Sequence, residues 1–191
     1  PYTSATGIIT FRGNNYRDGA SFGVANVSSK KLSEAWNIET GELPRSDIGG
    51  PTDLVWTGSG WVGQPLIVQW PENIKQLMNM YDWAKQKQGL VEVILATMDG
   101  NVYFLDLETG EPTREKLYIG MPFKGAGSLD PRGYPILYLG SGDMYTSDNM
   151  KSRAMIYSLI DFTRLYEFGK QNDAFALRDW HAYDSSPLVD A

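Results

Sequence analysis

Three segments share one pattern, and that pattern constrains the fold more than any other feature of the chain. They are GWVGQPLIV (60–68), FKGAGSLDP (123–131) and AYDSSPLVD (182–190). Each gives an aromatic residue, then two or three small residues, then an apolar pair. Pro65 and Pro187 stand 187 − 65 = 122 residues apart, and Ser128 lies close to the midpoint. The first two entries are each followed by an apolar strand and a turn. Downstream, VYFLDLETG (102–110) parallels MIYSLIDFT (155–163). A recurring unit of several strands predicts an array of sheets, one unit per blade of a propeller or a related stack.

Local signals agree. VEVILAT (91–97) reads as a strand, and Asp99-Gly100 as a hairpin turn of type I′, which needs two positive φ angles. NVYFLDL (101–107) is the returning strand. Val102 and Phe104 point one way; Tyr103, Leu105 and Leu107 point the other. A strand apolar on both faces is a strand covered on both faces. Asp106, Thr109 and Gly110 read as structural turn chemistry. The Asp106 carboxylate accepts backbone N–H bonds, and Gly110 supplies a positive φ. Ile8–Phe11 reads as a short strand, and 30–42 as a strand ending in Thr40-Gly41-Glu42. The stretch 71–89 interrupts the β pattern. Ile74, Leu77, Met78 and Tyr81 have helical spacing, so it is a short helix or a long hairpin excursion inserted between two strands.

The fold class expected is all-β: a partial β-propeller of four-stranded antiparallel blades, about three of them visible, in a single domain over 1–191. Residues 1–56 give N-terminal strands and a first-blade edge. Residues 57–120 give a blade carrying the insertion 71–89, residues 121–180 a second blade, and 181–191 the start of the next. Three blades do not close a ring. The remaining blades are therefore expected on another chain or in sequence outside this one. The start at PYTSATG, without Met, fits a trimmed or processed piece, from which a targeting segment could have been removed.

The chain has 191 residues, a net charge of −6 and no basic stretch. That argues against a surface that tracks nucleic-acid phosphates. With no cysteine, disulfides, thiolate metal sites and thiol catalysis are excluded. No apolar run approaches the length of a membrane span.

The Gly/Ser-Pro-Leu-Val entry, the strand, Asp-Gly and then Val-Tyr-x-Leu-Asp-x-x-Thr-Gly together resemble the pyrroloquinoline-quinone-like β-propeller repeat. That family includes quinoprotein alcohol dehydrogenases and a bacterial outer-membrane assembly lipoprotein. TFRGNNYRDG (10–19) looks like a first-blade entry of the same type. The resemblance spans most of the chain. The family's docking pattern runs Ala-x-Asp-x-x-Thr-Gly and then Trp. Asp106, Thr109 and Gly110 match it, while Phe104 replaces Ala and Arg114 replaces Trp. The second copy keeps Asp161 and Thr163 but has Arg164 where Gly is usual. The adjacent-cysteine disulfide and the calcium-holding carboxylates of the enzymes have no counterpart.

Candidate binding residues follow from residue type and place. Arg12 and Arg17 flank a turn-rich loop, as an anion clamp or as local partners of Asp18 and carbonyls. Trp61, between glycines at an entry, is a stacking surface for a sugar or other ligand, or a packing residue. His181 and Asp184 could form an acid/base pair or a structural hydrogen bond. Asp143 and Asp148 are weak calcium candidates on a polar loop that fits no calcium template. No catalytic residue and no cofactor are expected. The expected function is a non-catalytic propeller that binds a protein or other ligand, or serves as a scaffold, secreted or at a bacterial cell surface. The alternatives are a fragment of a quinoprotein-like oxidoreductase using pyrroloquinoline quinone and calcium, and a glycan-binding propeller.

Overall fold

The alternating apolar runs fold as antiparallel strands, because each can bury one or both faces against a neighbouring sheet. A computed structural model describes residues 2–21, 23–45, 54–60, 63–142, 152–169, 173–174 and 182–190. In chain order the strands are β1 (Thr6–Ile8), β2 (Glu42–Pro44), β3 (Val55–Thr57), β4 (Leu66–Gln69), β5 (Glu92–Ala96), β6 (Asn101–Asp106), β7 (Leu117–Tyr118), β8 (Ser128–Leu129), β9 (Ile136–Gly140), β10 (Ala154–Ser158) and β11 (Arg164–Phe168). Two short helices, α1 (Glu72–Leu77) and α2 (Asp82–Gln86), lie between β4 and β5. The architecture is all-β, with few helices.

The strands form a sheet ordered β1-β4-β5-β6-β7, a second ordered β11-β10-β9-β8, and a two-stranded ribbon of β2 and β3. The two repeats therefore build equivalent meanders. Pro65 immediately precedes β4, Ser128 opens β8, and three strands follow each in sequence order. The first sheet has five strands rather than the expected four. The fifth is β1, which adds to the outer side of β4 with Gly7 opposite Val68. Its backbone runs so close that a Cβ on Gly7 would collide with the Ile67 carbonyl. The strand expected at Ile8–Phe11 thus lies earlier, and Phe11–Gly13 form a 3-10 turn. The strand expected over 30–42 begins only at Glu42.

The two sheets share one core. Leu66, Val68, Ile94, Val102 and Phe104 of the first pack in the same cluster as Leu129, Leu137, Leu139, Met155, Tyr157 and Leu159 of the second half. All six residues of β6 are buried. Val102 and Phe104 face this core, while Tyr103 and Leu105 join Val93 under Trp36 and Ile38. Leu107, expected on that second face, is instead exposed at 42%.

The hairpin between β5 and β6 forms where Asp99-Gly100 predicts it, but with a different turn. Only Gly100 has a positive φ, +81°. The Gly100 N–H donates to the Thr97 carbonyl, and the Thr97 N–H to the Asn101 carbonyl. This is a three-residue loop with one left-handed residue, which needs glycine at a single position. The insertion 71–89 carries two short helices rather than one: Met78 and Tyr81, expected on a single helix, are extended and flank the break between α1 and α2. Lys75, 1% exposed, donates to the Lys87 carbonyl at 2.6 Å and pairs with Glu72 at 2.8 Å, pinning α1 to the end of α2. Among the described residues no helix is long and apolar enough to cross a membrane.

Candidate functional site

The repeat entries are rich in small residues, and small residues let main chains approach. All three entries come together. The third crosses the second so closely that a Cβ on Gly125 would collide with the Asp184 carbonyl. The Ala126 N–H donates to Ser186 Oγ at 3.0 Å, and Ser128 Oγ donates to the Pro187 carbonyl at 2.8 Å. Ser128 Oγ then accepts from Thr10 Oγ1 at 2.7 Å, since its one proton is already placed.

The N-terminal segment laces the entries together. Ile9 accepts from the Leu129 N–H at 2.8 Å, and the Arg12 N–H donates to Gln64 Oε1 at 3.1 Å. Tyr2 and Asn15 both donate to the Val189 carbonyl, each at 2.8 Å. Arg17 bonds the Phe11 carbonyl at 2.8 Å and the Ser186 carbonyl at 2.9 Å. Residues 2–17 therefore touch the inner strands or entries of all three repeats.

Between them lies a cleft of about 450 Å³. Gly63 of the first entry, Lys124 and Gly125 of the second, and Asp184, Ser185 and Ser186 of the third line it, with Phe11, Arg12 and Arg17. Among the described lining residues, three cationic side chains thus face one carboxylate, in a chain whose net charge is −6. Lys124 Nζ lies 3.3 Å from Asp184 Oδ2, and 5.6 Å from the centre of the Trp56 ring. Arg45 stands 4.0 Å from the same ring, so Trp56 carries two cations. Burial holds the Arg17 guanidinium below its usual pKa, the penalty for a charge that is partly desolvated.

The cleft gathers Arg12, Arg17 and Asp184 among the residues singled out by sequence. Arg17 spends its donors on carbonyls, as the local reading allows. Trp61, His181, Asp143 and Asp148 lie outside the described residues. Asp106, Thr109 and Gly110 sit elsewhere, in the turn after β6. There Asp106 accepts from Lys87 at 2.7 Å and Thr109 at 2.8 Å. Burial pushes the Asp106 pKa up, and those bonds outweigh it and hold the carboxyl below its usual range. Gly110 has φ +74°, and the Trp36 ring lies against it, with Trp36 Nε1 donating to the Leu107 carbonyl at 3.0 Å.

No family model and no curated protein matches this chain.

Sequence reasoning missed Lys124 as a site residue, although it lies in the second entry beside Gly125. It also missed the buried pair Glu92–Arg114. Arg114 Nε and Nη2 grip Glu92 at 3.0 and 2.5 Å, and both side chains are fully buried. Trp70 and Thr113 complete the carboxylate's shell. Arg114 also donates to the Leu159 carbonyl at 2.7 Å, and it lies over Phe104 and near Phe162. The two departures from the family's docking pattern, Phe104 and Arg114, are therefore one contact.

Proposed function

We propose that this chain is part of a β-propeller of the quinoprotein-like repeat type, working as a non-catalytic binding module. Its ligand sits in the cleft where the three repeat entries meet. The observation that carries the reading is that convergence: equivalent positions of all three repeats line one cavity. Its volume, about 450 Å³, falls in the range of small-molecule sites. Two equivalent meanders and the packing of Trp36 on Gly110 support the propeller assignment. Leu165 and Tyr166 on β11, each 51% exposed, and Tyr118 on β7 at 64%, support further units of the same kind packing beyond the visible ones. The setting, secreted or at a bacterial surface, comes with the resemblance alone.

The enzymatic alternative needs calcium, which takes six to eight oxygens. The described lining offers one carboxylate, already paired with Lys124, among three cations, and that donor set does not fit the ion. A sugar stacked on Trp56 would compete with Arg45 and Lys124 for the ring. The test mixes the protein with pyrroloquinoline quinone, calcium and a panel of alcohols and follows dye reduction. A thermal-shift screen of small acids, neutral sugars and peptides runs beside it. Stabilisation without dye reduction is the expected result. Quinone-dependent turnover lost on mutating the cleft would overturn the reading.

A further inference from the structure

We propose that the cleft takes a carboxylate-bearing small molecule, and that Asp184 is its built-in competitor on Lys124. The inference rests on the binding-module reading and names the ligand chemistry of that site. Four observations lead to it. Arg12 holds φ 54°, ψ 28°, a left-handed conformation that is unfavourable for a residue with a Cβ. Its main-chain N–H is held by Gln64 Oε1, while its side chain is exposed at the cleft and its guanidinium has no partner among the described residues. Among the described residues Lys124 has one anionic partner, Asp184, at a loose 3.3 Å. The Asp184 main chain is pinned against Gly125, but its side chain is 41% exposed, with Oδ2 toward Lys124 and Oδ1 against Gly142.

Asp184 also shows what the site accepts. A carboxylate already fits beside Lys124, within the cavity that Arg12 lines. The incoming carboxylate takes the Asp184 position on Lys124 and gains Arg12 as a second donor, a charge-assisted bond of the stronger kind. The rotated Asp184 returns to water. Exposed ion pairs of this sort change an equilibrium constant by up to about fivefold, so the competitor tunes affinity and does not block the site. A cavity of about 450 Å³ fits a small organic acid and not an extended polyanion.

The experiment is isothermal titration at low ionic strength, pH 7, with succinate as the probe. Succinamide is the neutral isostere, and inorganic phosphate the alternative anion. Far-UV circular dichroism and melting check that each variant folds. Succinate is expected to bind, succinamide not. Arg12→Ala and Lys124→Gln should each weaken binding at least about fivefold, the second covering any disturbance of the Arg12 turn. Asp184→Asn should tighten it about two- to fivefold. Binding that ignores both cation substitutions, or phosphate binding tighter than succinate, overturns the proposal. So does no succinate binding by either wild type or Asp184→Asn. If a neutral compound from the thermal-shift screen then binds in the cleft, the binding-module reading stands without this inference. Weaker binding by a folded Asp184→Asn overturns the competitor role alone.

Discussion

Asp99 shows how much a single turn residue can hold. It is fully buried and accepts from Thr97, Tyr103, the Asn101 N–H at 3.1 Å and the Gly41 N–H at 2.7 Å. Burial pushes its pKa up, but the hydrogen bonds outweigh burial and hold the carboxyl below its usual range. Tyr103 is pushed up to about 12, first by burial and then by its bond to Asp99. The signs follow from linkage. The Asp99 contribution is present above the unfolded carboxyl pKa of about 4 and is lost as pH falls through its lower folded value. The Tyr103 contribution is whole below about pH 10 and is lost as pH rises toward 12. Urea unfolding as a function of pH should show both limbs, and Tyr103→Phe should flatten the alkaline one and, by removing one bond that lowers the Asp99 pKa, shrink the acid one. Asp99→Ala should cost about 3 kcal/mol, because it leaves the Tyr103 hydroxyl without its acceptor and the Gly41 N–H with only the Tyr103 oxygen. The Asp-Gly turn was legible in the sequence. The buried hub was not, because Gly41 lies 58 positions away and glycine carries no polar side chain to signal it.

Two glycines separate backbone cost from packing cost. Gly133 has φ +86°, and a Cβ there would lie 3.5 Å from Ser4 Oγ, an ordinary contact. At Gly110 a Cβ would lie 2.6 Å from the Trp36 ring. Gly133→Ala should therefore cost about 1 kcal/mol, the left-handed penalty alone. Gly110→Ala should cost at least about 2 kcal/mol more, through displacement of Trp36. Equal melting-point losses would show that Trp36 does not depend on that contact.

At the scale of elements, Arg114 joins what the chain separates. From the segment after β6 it grips Glu92 on β5, bonds Leu159 beyond β10, and stacks with Phe104 of the first sheet and near Phe162 of the second hairpin. Removing one partner of a buried pair strands the other charge. Arg114→Ala should cost about 4 kcal/mol in denaturant unfolding. The double variant Glu92→Gln, Arg114→Met, which leaves no bare charge, should recover more than half of that. A double variant as unstable as the single would show that the hydrogen bond to Leu159, and not the charge, sets the cost. The sequence showed Phe104 and Arg114 as two departures from a motif. It did not show that they compensate each other, because Phe162 and Leu159 join the contact only after the second sheet folds onto the first.

At the scale of the molecule, the repeat was the most informative feature. It located both meanders and the entries that meet at the cleft, since small residues and an apolar pair at a fixed spacing leave few other packings. It did not place the N-terminal segment. Residues 2–17 belong to no repeat, and their role as a lace rests on the side chains of Tyr2, Thr10, Asn15 and Arg17 reaching partners more than a hundred positions away, which no local pattern signals. The helical insertion was half legible: its spacing pointed to a helix, and Pro71 and Gly89 to its limits. If ligand binds where the three entries converge, amide chemical shifts recorded during a succinate titration will show it. Perturbations are expected to concentrate on Gly63, Gly125, Ser185 and Ser186, from all three repeats at once. Perturbations confined to one repeat, or centred on the groove of Asn73 and Tyr134 at the far end of β4, would contradict it.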